Sequence, residues 1–207
     1  MRTLLKLGVA AAIVVSTYYA IVQVAEEKAN TLAGGQTFVL DGQSPEEWDS
    51  FGALRERLRE WGEPDLATAL HRLQESDDLW VAPGLEGGRS AIYVNALNLV
   101  SRIFVRRDEL VARDLPFPSL DAPESAQRTF AAIRLAGTLF HELQHYEGLE
   151  DEAATYEREI DWYAGLRERM LARLQGEEQR WFEWAVDSAI QTATAARERA
   201  KGSGREC

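Results

Sequence analysis

His141 and His145 stand four residues apart in a stretch whose apolar residues, Phe130, Ile133, Gly137 and Phe140, recur at three- and four-residue steps up to Tyr146. That period predicts a helix with one buried face, and Gly148 is its natural stop. Residues four apart share a helix face, so both imidazoles can point at one metal ion from successive turns. Glu142, rotated by about 100° from His141, can carry its carboxylate to a water on that ion. Neutral imidazole suits Zn2+, and three protein ligands plus a water is the usual catalytic arrangement. The motif sits late in a long apolar-patterned helix, as a buried active-site helix would. The plainer alternative is two histidines on a polar helix face with a chance Glu between them.

The run His141-Glu142-Leu143-Gln144-His145 resembles the HExxH motif of the zincin metallopeptidases, and the likeness extends over about His141–Tyr163. The resemblance implies His141 and His145 as zinc ligands and Glu142 as general base. It also implies an α+β, mainly helical, zincin-like domain with a small antiparallel sheet. Two residues compete for the third ligand position. The stretch HELQHYEGLED, residues 141–151, has metzincin spacing, with a glycine turn followed by Asp151. That branch also carries a methionine in a tight turn, whereas Met170 sits in the helical RERMLARL. The gluzincin branch takes a glutamate from a following helix. Projected at about 100° per residue, Leu149, Ala153, Tyr156, Ile160 and Tyr163 form a core face, Glu152 borders it, and Asp151 points away. Glu150 and Glu157 border the opposite edge, and Glu159 lies a further two turns on. Glu152 is the preferred third ligand and Asp151 the runner-up. A plainer reading has Glu150, Asp151 and Glu152 only complementing a helix N-terminus.

The N-terminus reads as a membrane segment. Arg2 and Lys6 precede an uncharged run from Leu7 to Ala25, about 28 Å long as a helix at roughly 1.5 Å per residue. That nearly matches a bilayer core of roughly 30 Å. Small residues do not stand well at cleavage positions after this run, which favours an uncleaved anchor over a cleaved signal. Cations before the run, with Glu26 and Glu27 after it, predict a single-pass protein whose C-terminal domain is extracytoplasmic.

Further along, Gly34, Gly35 and Gly42 mark a linker, and Ser44-Pro45-Glu46-Glu47 reads as a capped helix start. Trp48, Phe51, Arg55, Leu58 and Trp61 follow at helical spacing. Gly62 and Pro64 break the chain before a second helix carrying Leu66, Leu70 and Leu73. Leu79-Trp80-Val81 is short and apolar. Ile92-Tyr93-Val94 and Ile103-Phe104-Val105 are expected to pair as antiparallel strands across Asn95–Ser101, although Leu97, Leu99 and Val100 also allow a helical reading. Helices are expected over about 150–174 and from Gly176 to about 199. The chain thus divides into an anchor or signal segment (1–25), a linker (26–43), the zincin-like metallohydrolase domain (44–200) and a flexible tail (201–207).

Acids outnumber bases by 34 to 23 over 207 residues, a formal charge of −11. This argues against a nucleic-acid partner, which needs a basic face. The single cysteine, Cys207, allows no intrachain disulfide and no cysteine metal site. Tyr93, Tyr146, Tyr156 and Tyr163 are candidate oxyanion donors or core residues. His71 reads as a boundary residue, the Arg/Glu-rich stretch 167–180 as a solvated face, and Trp181 with Trp184 as packing.

These features predict a membrane-anchored, zinc-dependent peptidase. Its peptide or protein substrate would lie along an edge strand, either Ile92–Asn95 or Ile103–Arg106, and residues 7–25 would hold it to the membrane. The alternative is a non-enzymatic, zinc-stabilised envelope protein that acts as a partner-binding module. A metal-free helical scaffold and a hydrolase of non-peptide amides remain open.

Overall fold

The computed structural model describes residues 2–32, 38–39, 45–85, 89–96, 99–111 and 122–203. The glycine linker, the Ser44 cap and the end of the tail lie outside them. Helix α1 (Arg2–Leu32) comes first, then the two-residue strand β1 (Phe38–Val39), α2 (Pro45–Glu60) and α3 (Pro64–Glu75). Strands β2 (Leu79–Ala82), β3 (Ala91–Ala96) and β4 (Val100–Arg106) follow, leading into the short α4 (Arg107–Val111). Three long helices complete the chain: α5 (Glu124–Tyr146), α6 (Glu152–Leu171) and α7 (Gly176–Ser203).

The strands are ordered β1-β2-β4-β3. β3 and β4 pair antiparallel, with Ile92 opposite Phe104 and Tyr93 opposite Ile103. β2 runs parallel to β4, so the expected antiparallel sheet is in fact mixed. The cause is nonlocal. The chain leaves β2, skips one position to lay down β3, and returns through β4 into the gap.

Side chains alternate across the sheet with the period of two that a pleat imposes. Leu79, Val81, Ala91, Ile103 and Val105 face the core shared with α2, α3, α5, α6 and α7. Ala82, Val94, Ala96, Val100 and Phe104 face the other way and meet Ala25 and Ala29 of α1. Phe51, Leu54 and Leu58 of α2, and Trp61 just beyond its end, are buried at helical spacing. Gly62 (φ +79°) then takes the left-handed conformation that turns the chain into α3.

The membrane assignment is corrected. Among the described residues, no helix is long and apolar enough to cross a membrane. This overturns the transmembrane helix over residues 7–25 and the single-pass, extracytoplasmic placement that followed from it. α1 does not stop at Ala25. It continues through Glu26, Glu27 and Lys28 to Leu32, across part of the expected linker. Ala25 and Ala29 are fully buried against the sheet. Glu26 pairs with Arg102 at 3.0 Å, and the Arg102 guanidinium stacks on Trp80 at 4.0 Å. The end of the uncharged run is therefore taken up by the protein's own packing.

Candidate metal centre

Three elements converge on the site. α5 presents His141, Glu142 and His145 from its last two turns. Its end is closed by the Leu149 amide bonding the Gln144 carbonyl at 2.9 Å and the Gly148 amide bonding that of His145 at 3.0 Å. Gly148 takes φ +98° there, as a left-handed helix terminus requires. Asp151 then caps α6, its carboxylate accepting from the Ala154 amide at 2.8 Å. That turn folds the first residue of α6, Glu152, back onto the histidines. Asp151 is exposed and occupied with the cap, so it stands outside the group.

His141, His145 and Glu152 each offer a ligand atom within 4.8 Å of the others, a group that could hold a metal ion. The hydrogen bonds around them test that fit. His145 Nδ1 faces the Leu149 carbonyl oxygen at 2.6 Å, so it must donate. His141 Nδ1 faces the Glu159 carboxylate at 3.1 Å, so it also donates. In the neutral rings both Nε2 atoms are then bare lone pairs, and they face each other at 3.1 Å. Glu152 brings two more acceptors, 3.0 Å from His145 Nε2 and 3.6 Å from His141 Nε2. Acceptors crowded together in this way call for a positive charge between them, either a proton on one imidazole or a metal ion that the group could hold. Two nitrogens on one tetrahedral zinc would stand about 3.3 Å apart, close to the spacing found.

The electrostatics around His141 favour a positive charge at the same place. Burial by itself would depress the His141 imidazole. Hydrogen bonds to Glu152 and Glu159 and the field of Glu142 reverse this and push its pKa up to about 10. The proton fills the place that the acceptors demand for a cation, and a metal would displace it.

Glu142 points from the motif towards the sheet. Its Oε2 accepts the Tyr93 backbone amide at 2.6 Å, on the side of β3 that no strand covers among the described residues. Burial raises its carboxyl above the ordinary value of 4.5, while His141, His145 and the Tyr93 amide pull it down.

Glu159 is the residue that the sequence pattern did not single out. It is 8% exposed and orients His141, the outer-shell role that a carboxylate commonly plays behind a metal-binding imidazole. Behind it stands Tyr163, which hydrogen-bonds Glu159 and whose hydroxyl burial pushes far up. A Cβ on Gly137 would lie 1.7 Å from the Tyr163 hydroxyl oxygen, so this glycine makes the notch that the tyrosine fills. Tyr156 packs on His141, with ring centroids 4.4 Å apart. The signal was present in the spacing: Glu152, Tyr156, Glu159 and Tyr163 follow at four, three and four residues, one continuous helix stripe.

The other candidates fall elsewhere. Tyr146 donates to Asp78 at 2.8 Å, and the Tyr93 hydroxyl lies 3.4 Å from Ser101 Oγ. His71 contacts Arg55 and Glu75 away from the site. Trp184 packs on Phe130 and Trp181, and Arg167 pairs with Glu183 and Asp187.

The metal group opens into a cavity of about 1060 Å³ between β3, α5, α6 and α7. No family model, curated protein or solved structure matches this chain.

Proposed function

We propose that this chain is a zinc-dependent peptidase of the kind its HExxH motif resembles. The observation that supports this best is the opposed pair of Nε2 atoms 3.1 Å apart, with Glu152 beside them and Glu142 held by an edge-strand amide. Three ligands beside an open cavity suit a catalytic centre, whereas a structural zinc site is normally closed by four. Zinc bound there would lower the pKa of its water towards about 7 and polarise the substrate carbonyl.

The remaining steps belong to the chain's own residues. The Tyr93 amide engages one oxygen of Glu142 and leaves the other for the attacking water. Glu142 accepts that water's proton and delivers it to the leaving amine. Its raised carboxyl is the tuning a base needs if it must also return the proton. The Glu159 carboxylate keeps the His141 Nδ1 protonated, so that Nε2 stays a ligand. The uncovered edge of β3 offers backbone groups to an extended peptide.

The test is zinc content measured alongside peptide turnover. Glu142→Gln should retain zinc and lose turnover by about 10²–10⁴-fold, whereas Glu152→Ala should lose zinc itself. Full turnover in Glu142→Gln would refute the general-base role. Stoichiometric zinc without turnover of any peptide would favour a structural metal.

A further inference from the structure

We infer that the cavity selects peptides bearing an acidic side chain within about three residues of the cleaved bond, through a cationic subsite formed by Arg89, Arg134 and Arg199. This inference rests on the peptidase reading and names its substrate class. All three arginines line the cavity that holds the metal group, in a protein whose formal charge is −11.

The cavity's charges are segregated. Its carboxylates gather at the metal end, where Glu152 and Glu159 engage the histidines and Glu142 the Tyr93 amide. The arginines are not used to neutralise them. Among the described residues, neither the Arg89 nor the Arg199 side chain makes a hydrogen bond or ion pair. Arg134 pairs with Glu109 Oε1 at 3.7 Å and stands 5.7 Å from the Phe130 ring centroid. That oxygen already accepts from Ser90 at 2.7 Å and from Arg106 at 2.9 Å. Three carboxylates balance three guanidiniums, so the two charges of a bound divalent ion are left over, and the occupied cavity attracts anions.

Two of the arginines share one end. Arg89 directly precedes Ser90, which bonds Glu109, and Arg134 approaches the same Glu109 oxygen. Arg134 lies seven residues before His141, about 10 Å along the helix. An extended peptide covers that distance in about three residues, which sets the position of the acidic side chain. Ala189, Ala193 and Ala196 of α7 line the facing wall, and their small side chains leave room for a chain along β3. A guanidinium's planar fork binds a carboxylate through paired charge-assisted hydrogen bonds.

The experiment offers a randomised octapeptide pool to the zinc-loaded full chain, with cleavage sites read by mass spectrometry. In parallel, the zinc-loaded Glu142→Gln protein is used to capture peptides from the same pool. Asp and Glu near the cleaved bond should be enriched about tenfold over Asn and Gln. Arg134→Gln should remove most of that enrichment. Arg89→Glu, at an exposed position that spares the core, should do the same and admit Lys or Arg in its place. Cleavage indifferent to acidic residues, or a preference unchanged in both variants, overturns this inference and leaves the peptidase reading standing. Acidic peptides captured by Glu142→Gln but never cleaved by the parent chain support the subsite and overturn the peptidase reading. Neither capture nor cleavage overturns both.

Discussion

The two faces of the sheet are packed by opposite chemistries. On the α1 face, Ala25 and Ala29 meet Ala82, Val94, Ala96, Val100 and Phe104 in a small dry cluster. A nearby ion pair, Glu26 with Arg102, borders it. On the other face a much larger core carries His141, Gln144, His145, Thr155 and Glu159 among its buried residues. Burying a polar group costs free energy unless it finds a partner, so a fold that only needed stability would keep that face as dry as the first. Each of these groups has a partner: Gln144 takes Arg158 at 2.8 Å, and Thr155 bonds the Asp151 carbonyl at 2.9 Å. The comparison separates a surface built to hold the sheet from one built to hold charge.

Glu159 gives the sharpest test of that distinction. Glu159→Ala should weaken zinc binding by about 10–100-fold, measured by competition with a chelator of known affinity, while the fold persists. Unchanged affinity would mean that the buried carboxylate serves only packing. Gly137→Ala comes next. A methyl there meets the Tyr163 hydroxyl and ring, so Tyr163 must leave Glu159. Alanine is favoured over glycine inside a helix by about 1 kcal/mol, but the overpacking should outweigh this and leave a net loss of about 1–3 kcal/mol. Urea unfolding would measure it, and a stabilised variant would show that the notch is not needed.

The pH dependence should differ between the metal-free and metal-bound protein. His141 is raised in the fold from 6.5 to about 10. Its contribution to stability is complete below about pH 6.5 and is lost as pH rises towards 10. Glu142, raised above 4.5 by burial, works in the same direction, because the folded state keeps its proton longer than the unfolded chain does. Each group contributes a slope of at most about 1.4 kcal/mol per pH unit. With zinc bound the imidazole is already neutral, so the slope between about pH 7 and 9 should flatten. Urea midpoints with and without zinc would show it, and parallel slopes would break the link between protonation and metal.

The sequence made one face far more legible than the other. The α5 periodicity placed both histidines on one side of a helix, because a 3.6-residue repeat is a local property. The β3 and β4 segments declared themselves through β-branched and aromatic residues. Glu159 went unread because a helical wheel treats a charged residue as outward-facing, although its spacing from Glu152, Tyr156 and Tyr163 already put it on their stripe. The parallel pairing of β2 depends on a crossover that no local pattern records. α1 misled for the same reason. Hydropathy registered an uncharged run but not the sheet face waiting for Ala25 and Ala29, nor Arg102 waiting for Glu26.

Removing that last charge is the counterpart to Glu159→Ala on the opposite face. Glu26→Gln leaves Arg102 stacked on Trp80 and takes away a pair whose glutamate side chain is 43% exposed. Fully exposed pairs are worth about 1 kcal/mol or less, but the Arg102 side chain is only 11% exposed, so a loss of about 1–2 kcal/mol is expected. The expected result is a fall in the urea midpoint, reduced by salt, with zinc affinity unaltered. A carboxylate on one face would then matter through the metal and a carboxylate on the other only through packing. If Glu26→Gln shifted zinc affinity as Glu159→Ala does, charge on the α1 face would be reaching the site through β4 and β3, and the two faces would have to be treated as one coupled unit.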